Sequence, residues 1–516
     1  MSKELGTIYT TRATGDFHWG VHHLLANFLS HNISYCHFKS NEHVTEGIRG
    51  ETDLDILIDR AAHNKAQALL VGAGFKLFPS EPLAGYPAVE DWIGFDPHTG
   101  KLAHLHVHWQ MIAGEPHLKG YRIPWERRIL EGRIWRADLG IFTASVEMEL
   151  LLLLTRAALK FRSRSYVRTL RGRPAYGADL NRERVWLVER VDHAGFAELV
   201  HSMLPAPLAE EVIDVAIGKD LDSRGFERAR RAVVRHLSPW RSFSSLHARL
   251  YRWKREAWRR VGVRILRQAG KLPLCRRTSA TGGLIVSLIG ADGSGKSTQT
   301  KALLRWLGWK IDVARIYFGS GDGPTSWHRA ALLWLQSRLG RSGRRKAVSV
   351  DGVPVNSPAF PAALPGTLQR AFRGLYAISL AFEKRSAIRK ATRARNRGMI
   401  VICDRYPQNQ IAGYNDGPLL AEWIGAGAPW SNLARLEGRL LAVFSVVSPD
   451  MVIKLNVSEE VAAVRKADTP KEMIGKKIAA VRNLGFGPEC EIVEVDADRP
   501  LEEVTLAVRA NVWKLL

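Results

Sequence analysis

Residues 282–307 of this 516-residue chain, GGLIVSLIGADGSGKSTQTKALLRWL, limit what it can fold into more than any other stretch. The run 284–289 is apolar but for Ser287, as in a strand buried on both faces of a parallel sheet. Residues 290–297 fit the pattern GxxxxGK[ST], and beyond Thr298 the apolar residues Leu303, Leu304 and Leu307 recur at helical spacing. A buried strand, a glycine-rich turn and a helix, in that order, predict an α/β domain whose parallel sheet is flanked by helices. The turn itself is a cradle. Gly290, Gly293 and Gly295 free the backbone to curl, so that successive N–H groups face inward at a helix start, where anions bind.

That cradle comprises Gly290, Ala291, Asp292, Gly293, Ser294, Gly295, Lys296, Ser297 and Thr298. Lys296 would set a point charge between the outer phosphates of a nucleotide such as ATP, and the Ser297 hydroxyl would complete a Mg²⁺ shell. A magnesium nucleotide site also needs a carboxylate at the end of a neighbouring strand. The apolar run 399–403 closes on Asp404, followed by Arg405 and Tyr406. Asp404 is the expected Mg²⁺ partner and Arg405 the expected contact to an acceptor phosphate. Lys296, Asp404 and Arg405 are thus candidate catalytic residues.

GADGSGKST, the segment EKRSAIRKATRARNRG and MIVICDRYPQ together resemble the thymidylate kinase family of P-loop kinases, over residues 283–516. The resemblance implies a P-loop NTPase fold, ATP and Mg²⁺ as cofactors, and transfer of the γ-phosphate to a nucleoside monophosphate such as dTMP; it is also compatible with a homodimer. It further implies that Asp292, a fourth catalytic candidate, contacts the acceptor's sugar hydroxyl and Arg405 its phosphate. Arg465 and Lys466 would form a lid on the donor phosphates, and Arg385 and Arg389 would line the acceptor site. Two departures widen the choice of acceptor. Residues 319–366, rich in Gly, Pro, Ser and Arg, read as an insertion with one short helix near 327–339, and IYFGSGDG lacks the FPR-type phosphate contact of the family. A sugar, glycan or lipid-linked acceptor is therefore an alternative. So is a nucleotide-gated regulatory protein without efficient turnover.

The N-terminal part carries a second pattern. In GETDLDILI, Asp53 and Asp55 lie at i and i+2, on one face of a strand, as two ligands of a divalent metal would. Helices are expected on either side, at 17–29 and 61–70. The segment resembles the nucleotidyltransferase fold, an α+β domain, and LAHLHVHWQ resembles the later strand that delivers a third carboxylate in such enzymes. Here the matching residue is His106, and KSNEH at 39–43 stands where Gly–Ser is customary. His104, His106 and His108 share a strand face, as ligands of a transition metal would. Residues 145–161 predict a strong helix that opens a helical subdomain with Arg-rich turns at 162–173.

The layout expected is 1–145 nucleotidyltransferase-like, 146–222 helical, 223–280 a basic helical connector and 281–516 kinase-like. The formal net charge is +24, and residues 224–277 hold 17 Lys and Arg against two acids. Within that segment Leu246, Leu250, Trp253, Ala257, Val261 and Ile265 recur at helical spacing among arginines. Three readings stay open: a helix packed between domains, an amphipathic helix on anionic membrane through 246–265, or a nucleic-acid contact. Nucleic acid is the weakest of these, because no recognised binding motif accompanies the charge. Four scattered cysteines exclude a disulfide framework or a CxxC metal site, and the first residues lack the apolar core of a secretory signal. A cytoplasmic protein is expected, peripheral at the inner membrane surface if the amphipathic reading holds, with a nucleotide or phosphorylated small molecule as partner.

Overall fold

A computed structural model describes residues 17–516 except 82, 163–164, 166–170, 172–177, 218–223, 319–333, 335–347, 351–352, 356–365, 412–416 and 468. The chain forms two compact units, Met1–Cys275 and Arg276–Leu516, and is mixed α/β. Most of the Arg-rich turns expected at 162–173, and the insertion helix expected near 327–339 apart from Trp334, lie outside the described residues.

In the first unit, α1 (Trp19–Ser30) leads into β1 (Tyr35–His37) and β2 (Asp53–Ile58). Next come α2 (His63–Gly72), β3 (Phe75–Leu77), β4 (Val89–Phe95), β5 (Leu102–His108), β6 (Ile134–Arg136) and β7 (Ile141–Thr143). The sheet order is β3-β4-β5-β2-β1-β7-β6, with β2 and β5 parallel and β4 antiparallel to β5. Period-two alternation sorts the strands. Leu54, Ile56, Ile58, Ala103, Leu105, Val107 and Trp92 join the core with α1 and α2, whereas Asp53, Asp55, Asp91, His104, His106 and His108 point to the opposite face.

That second face is backed by helices. Ser145 caps α3 (Val146–Lys160) by accepting from the Met148 N–H, and α3 is buried nearly all round, from Met148 to Leu159. It packs with α4 (Ala178–Val188), α5 (His193–Met203), α6 (Ala206–Ile217) and α7 (Arg224–His236) in one core that also takes in Cys36, Phe38 and Leu57 of the sheet. Residues 224–236, expected in the connector, therefore belong to this bundle. Phe226, Ala229 and Val233 give α7 an apolar stripe despite its arginines.

The rest of the basic segment behaves unexpectedly. α8 (Ser245–Ala257) continues through a widened turn, Trp258–Gly262, into α9 (Val263–Gln268). Its polar side packs on the rest of the first unit. Arg255, only 3% exposed, donates to the carbonyls of His117 and Gly85, while Arg252 pairs with Glu115 and Arg162 with Glu256. Leu246, Leu250, Trp253, Val261 and Ile265 are left exposed.

The second unit has the architecture expected of residues 282–307. Five parallel strands are β8 (Leu284–Gly290), β9 (Val313–Tyr317), β10 (Ile400–Asp404), β11 (Met451–Asn456) and β12 (Glu491–Asp496). They lie in the order β9-β10-β8-β11-β12, so β8 is central. The helices are α10 (Lys296–Leu307), α11 (Gly366–Arg395), α12 (Trp430–Leu441), α13 (Glu459–Arg465), α14 (Lys471–Asn483) and α15 (Leu501–Leu515). Burial on both faces explains the apolar sequences of β8 and β10, and it leaves the chemistry to the strand ends.

Candidate functional site

The loop between β8 and α10 is held by close packing. Gly290 passes so near its neighbours that a Cβ there would lie 2.4 Å from Ser294 Oγ and 2.8 Å from the Leu455 carbonyl oxygen. Gly293 has φ +85°, and a Cβ would also meet the Ala462 carbonyl oxygen at 2.9 Å. Both positions thus require glycine. Lys296 is buried and donates to the Ala291 carbonyl across the loop at 2.6 Å. Burial, reinforced by the nearby Arg405, pulls its ammonium down to about 8. Ser294 is also buried, with its hydroxyl unpaired, while Ser297 and Thr298 are exposed at the start of α10.

The register of β8 and β10 sets Leu288 beside Asp404, so the Asp404 carboxylate ends the strand next to the loop. Asp404 is 2% exposed and lies 3.4 Å from the Arg315 guanidinium on β9. Arg405 follows in the left-handed region at φ +68° while its N–H bonds the Leu288 carbonyl. A non-glycine residue held there is strained, and such strain concentrates at functional sites. Arg405 and Asp404 both act electrostatically on Lys296, so all three converge. Asp292 belongs to the same group. Burial works against its charge, but Lys477, Lys296 and Arg405 hold it below the ordinary carboxylate range.

The remaining candidates divide. Arg465 on α13 donates to the Ala497 carbonyl and, at 3.5 Å, to the Gly293 carbonyl of the loop. Lys466 is exposed at the end of that helix. On α11, Arg385 is half-buried and Arg389 exposed, and among the described residues no hydrogen bond or ion pair carries either to the loop. Lys477 on α14, not among the sequence candidates, reaches the loop and binds the Asp292 carboxylate. Its only sequence signal is a basic amphipathic helix shortly after Arg465.

In the first unit the pairing sets Asp53 beside His104, Asp55 beside His106, and Asp91 of β4 opposite His106. Asp55 does not stand free as a metal ligand. Lys39 Nζ lies 2.7 Å from it, and His106 and His108 approach within 3.2 and 3.4 Å. Burial opposes its charge, yet Lys39 and the two imidazoles hold it well below the usual carboxylate range. His106 lies on β5 between Asp55 of β2 and Asp91 of β4, so a further carboxylate stands beside it. Asp91 lies 3.1 Å from His104 and 3.0 Å from His106. Sequence reasoning missed it because nothing in VEDWIGF states how β4 registers against β5.

Beside this cluster is a small cavity of about 70 Å³, lined by Phe38, Lys39, His108, Lys119, Arg156 and Lys160 among others. Burial, and then repulsion from neighbouring cations, pulls Lys119 and Lys160 down to about 8. Four cations around so small a space suit an anion such as a phosphate group.

A central parallel strand, a glycine loop at a helix start and an Asp–Arg pair at the adjacent strand end define a nucleotide-binding α/β protein. No protein-family profile matches the chain. It is 30% identical over 224 residues to the uncharacterized ATP-binding protein YghS of Escherichia coli K12, covering 43% of this chain and 90% of that one. It is likewise 30% identical over 225 residues to YghR of the same organism, covering 43% of this chain and 83% of the relative. The chain belongs to the family of these uncharacterized ATP-binding proteins.

Proposed function

We propose that the second unit binds ATP and transfers its γ-phosphate to a small acceptor, in the manner of the thymidylate kinase family it resembles. The convergence of Lys296, Asp404, Arg405 and Asp292 at the ends of β8 and β10 carries this reading. The strand order and the ATP-binding names of YghS and YghR support it. The loop amides and Lys296 would hold the phosphates, Arg405 would orient an acceptor phosphate, and Asp292, released from Lys477, would orient an acceptor hydroxyl. A buried carboxylate at a strand end and a serine at the helix start are oxygen donors that fit Mg²⁺, which Asp404 and Ser297 would hold. Magnesium there would neutralise charge on the phosphate oxygens.

A nucleotide-like monophosphate such as dTMP is the first acceptor to test, followed by sugars, glycans and lipid-linked intermediates. Incubation with γ-labelled ATP and this panel should label one class, and Lys296→Ala should cut the rate roughly 10³-fold. Biological function that survives Lys296→Ala with transfer abolished would replace the enzyme by a nucleotide-gated regulator. For the first unit we propose a nucleotidyltransferase-like role, supported by the β2–β5 pairing and the cationic cavity. Asp53→Asn should then abolish pyrophosphate release from nucleoside triphosphates, and unchanged release would refute that role.

A specific observation favours a membrane partner for residues 246–265: their apolar side is exposed while arginines flank it. No helix among the described residues is long and apolar enough to cross a membrane, so the contact would be interfacial. Full-length protein should float with phosphatidylserine vesicles, and Trp253→Glu with Leu250→Glu should abolish flotation. Wild type that never floats ends the idea.

A further inference from the structure

The polar cluster on β2, β4 and β5 holds donors that a purely carboxylate site would not. Alternation puts Asp53, Asp91, His104 and His106 on one sheet face, and the register brings them side by side. One ligand atom each from Asp53, His104 and His106 lie within 4.8 Å of one another. In a tetrahedral complex with bonds of about 2.0–2.2 Å, ligand atoms sit roughly 3.2–3.6 Å apart, so shifts of an ångström or so suffice to close the set. His104 Nδ1 is already 2.9 Å from Asp53, and Asp91 approaches the Nε2 atoms of both imidazoles, at 3.1 and 3.0 Å.

Donor type selects the ion. Two imidazoles and one carboxylate favour a divalent transition metal such as zinc, whereas Mg²⁺ favours oxygen ligands. Exposure selects the kind of site. The His104 side chain is fully buried, but that of Asp53 is 30% exposed, which leaves an approach from solvent. Asp91 supplies what ligating imidazoles usually have, a carboxylate that fixes ring orientation. The two carboxylates in the DLD segment are unequal, because Asp55 is engaged by Lys39 as well as by His106 and His108, whereas Asp53 pairs with His104.

We propose that the first unit binds one divalent transition-metal ion through Asp53, His104 and His106, with Asp91 orienting the two imidazoles. The inference rests on this ligand geometry alone and stands whatever reaction either unit performs.

The test uses the full-length chain stripped with a chelator and dialysed against zinc, with bound metal measured by elemental analysis. We expect about one equivalent of zinc whose affinity falls roughly 100-fold in His104→Asn, His106→Asn and Asp53→Asn, and about tenfold in Asp91→Asn. Cobalt in place of zinc should give visible absorption bands that Asp91→Asn perturbs without abolishing. Should the histidine variants lose their circular dichroism signal, Asp53→Asn, at a partly exposed position, decides the comparison. Excess Mg²⁺ should leave the zinc in place. Failure to bind zinc, uptake unchanged by the ligand substitutions (the signature of other histidines), or displacement by Mg²⁺ would each overturn the proposal.

Discussion

The phosphate loop of the second unit is built from main chain, while the cluster of the first unit is built from side chains. In the loop, one run of nine residues supplies the amides, the cation and the hydroxyl, and backbone packing against Leu455 and Ala462 fixes its shape. In the cluster, four short segments each contribute one to three groups: Lys39, Asp53 with Asp55, Asp91, and His104 with His106 and His108. A site of the first kind fails when a side chain intrudes on the backbone. A site of the second kind fails when a charge loses its partner.

Of the two changes that test this contrast, the larger effect should come from the smallest substitution in the loop. Gly290→Ala adds a methyl group to a space already filled by Ser294 Oγ and the Leu455 carbonyl. The Ser294 side chain could rotate away, but the carbonyl belongs to β11 and cannot. We expect nucleotide affinity to fall more than roughly tenfold, and the unit to lose about 1–3 kcal/mol. Isothermal titration with ATP and denaturant unfolding measure the two. Unchanged affinity would show that the loop amides are not fixed by this packing, which would remove the main difference between the sites.

The same contrast explains what could be read from the sequence. The loop was legible because its function is contiguous: Gly290 to Thr298 appear in order, between a strand and a helix that announce themselves by periodicity. Asp404 and Arg405 were legible because an apolar run ends on them. Asp53 and Asp55 could be seen for the same reason, and the alternation of His104, His106 and His108 placed them on one face. Asp91 and Lys477 could not be found, because each depends on a register or helix packing that no local pattern encodes. The exposed side of α8 was equally hidden. Its apolar stripe was plain in sequence, but only folding shows that Arg252 and Arg255 find partners elsewhere in the first unit and turn the stripe outward.

The smaller effect belongs to the first unit and tests whether its site depends on buried charge. Glu149, in the first turn of α3, is 1% exposed, and its carboxylate accepts from the Asn41 backbone N–H at 2.8 Å and from Asn41 Nδ2 at 2.7 Å. It thereby anchors the 39–43 segment that presents Lys39 to Asp55. Burial pushes the Glu149 carboxyl up to about 7, outweighing the two bonds from Asn41. A carboxyl raised on folding stabilises most below its unfolded value, about 4.3, and that contribution is lost as pH rises through the folded value. Well above pH 7 the loss approaches roughly 4 kcal/mol. Glu149→Gln cannot ionise, so it should escape this loss, although it replaces one acceptor of Asn41 by a donor at a cost of about 1–2 kcal/mol that does not change with pH. The variant should therefore be the less stable protein at pH 5 and the more stable one at pH 8.5, the two melting curves crossing between. A difference that stays constant across that range would mean that Glu149 is ionised throughout, and that the turn carrying Lys39 is held by a charge the fold already accommodates.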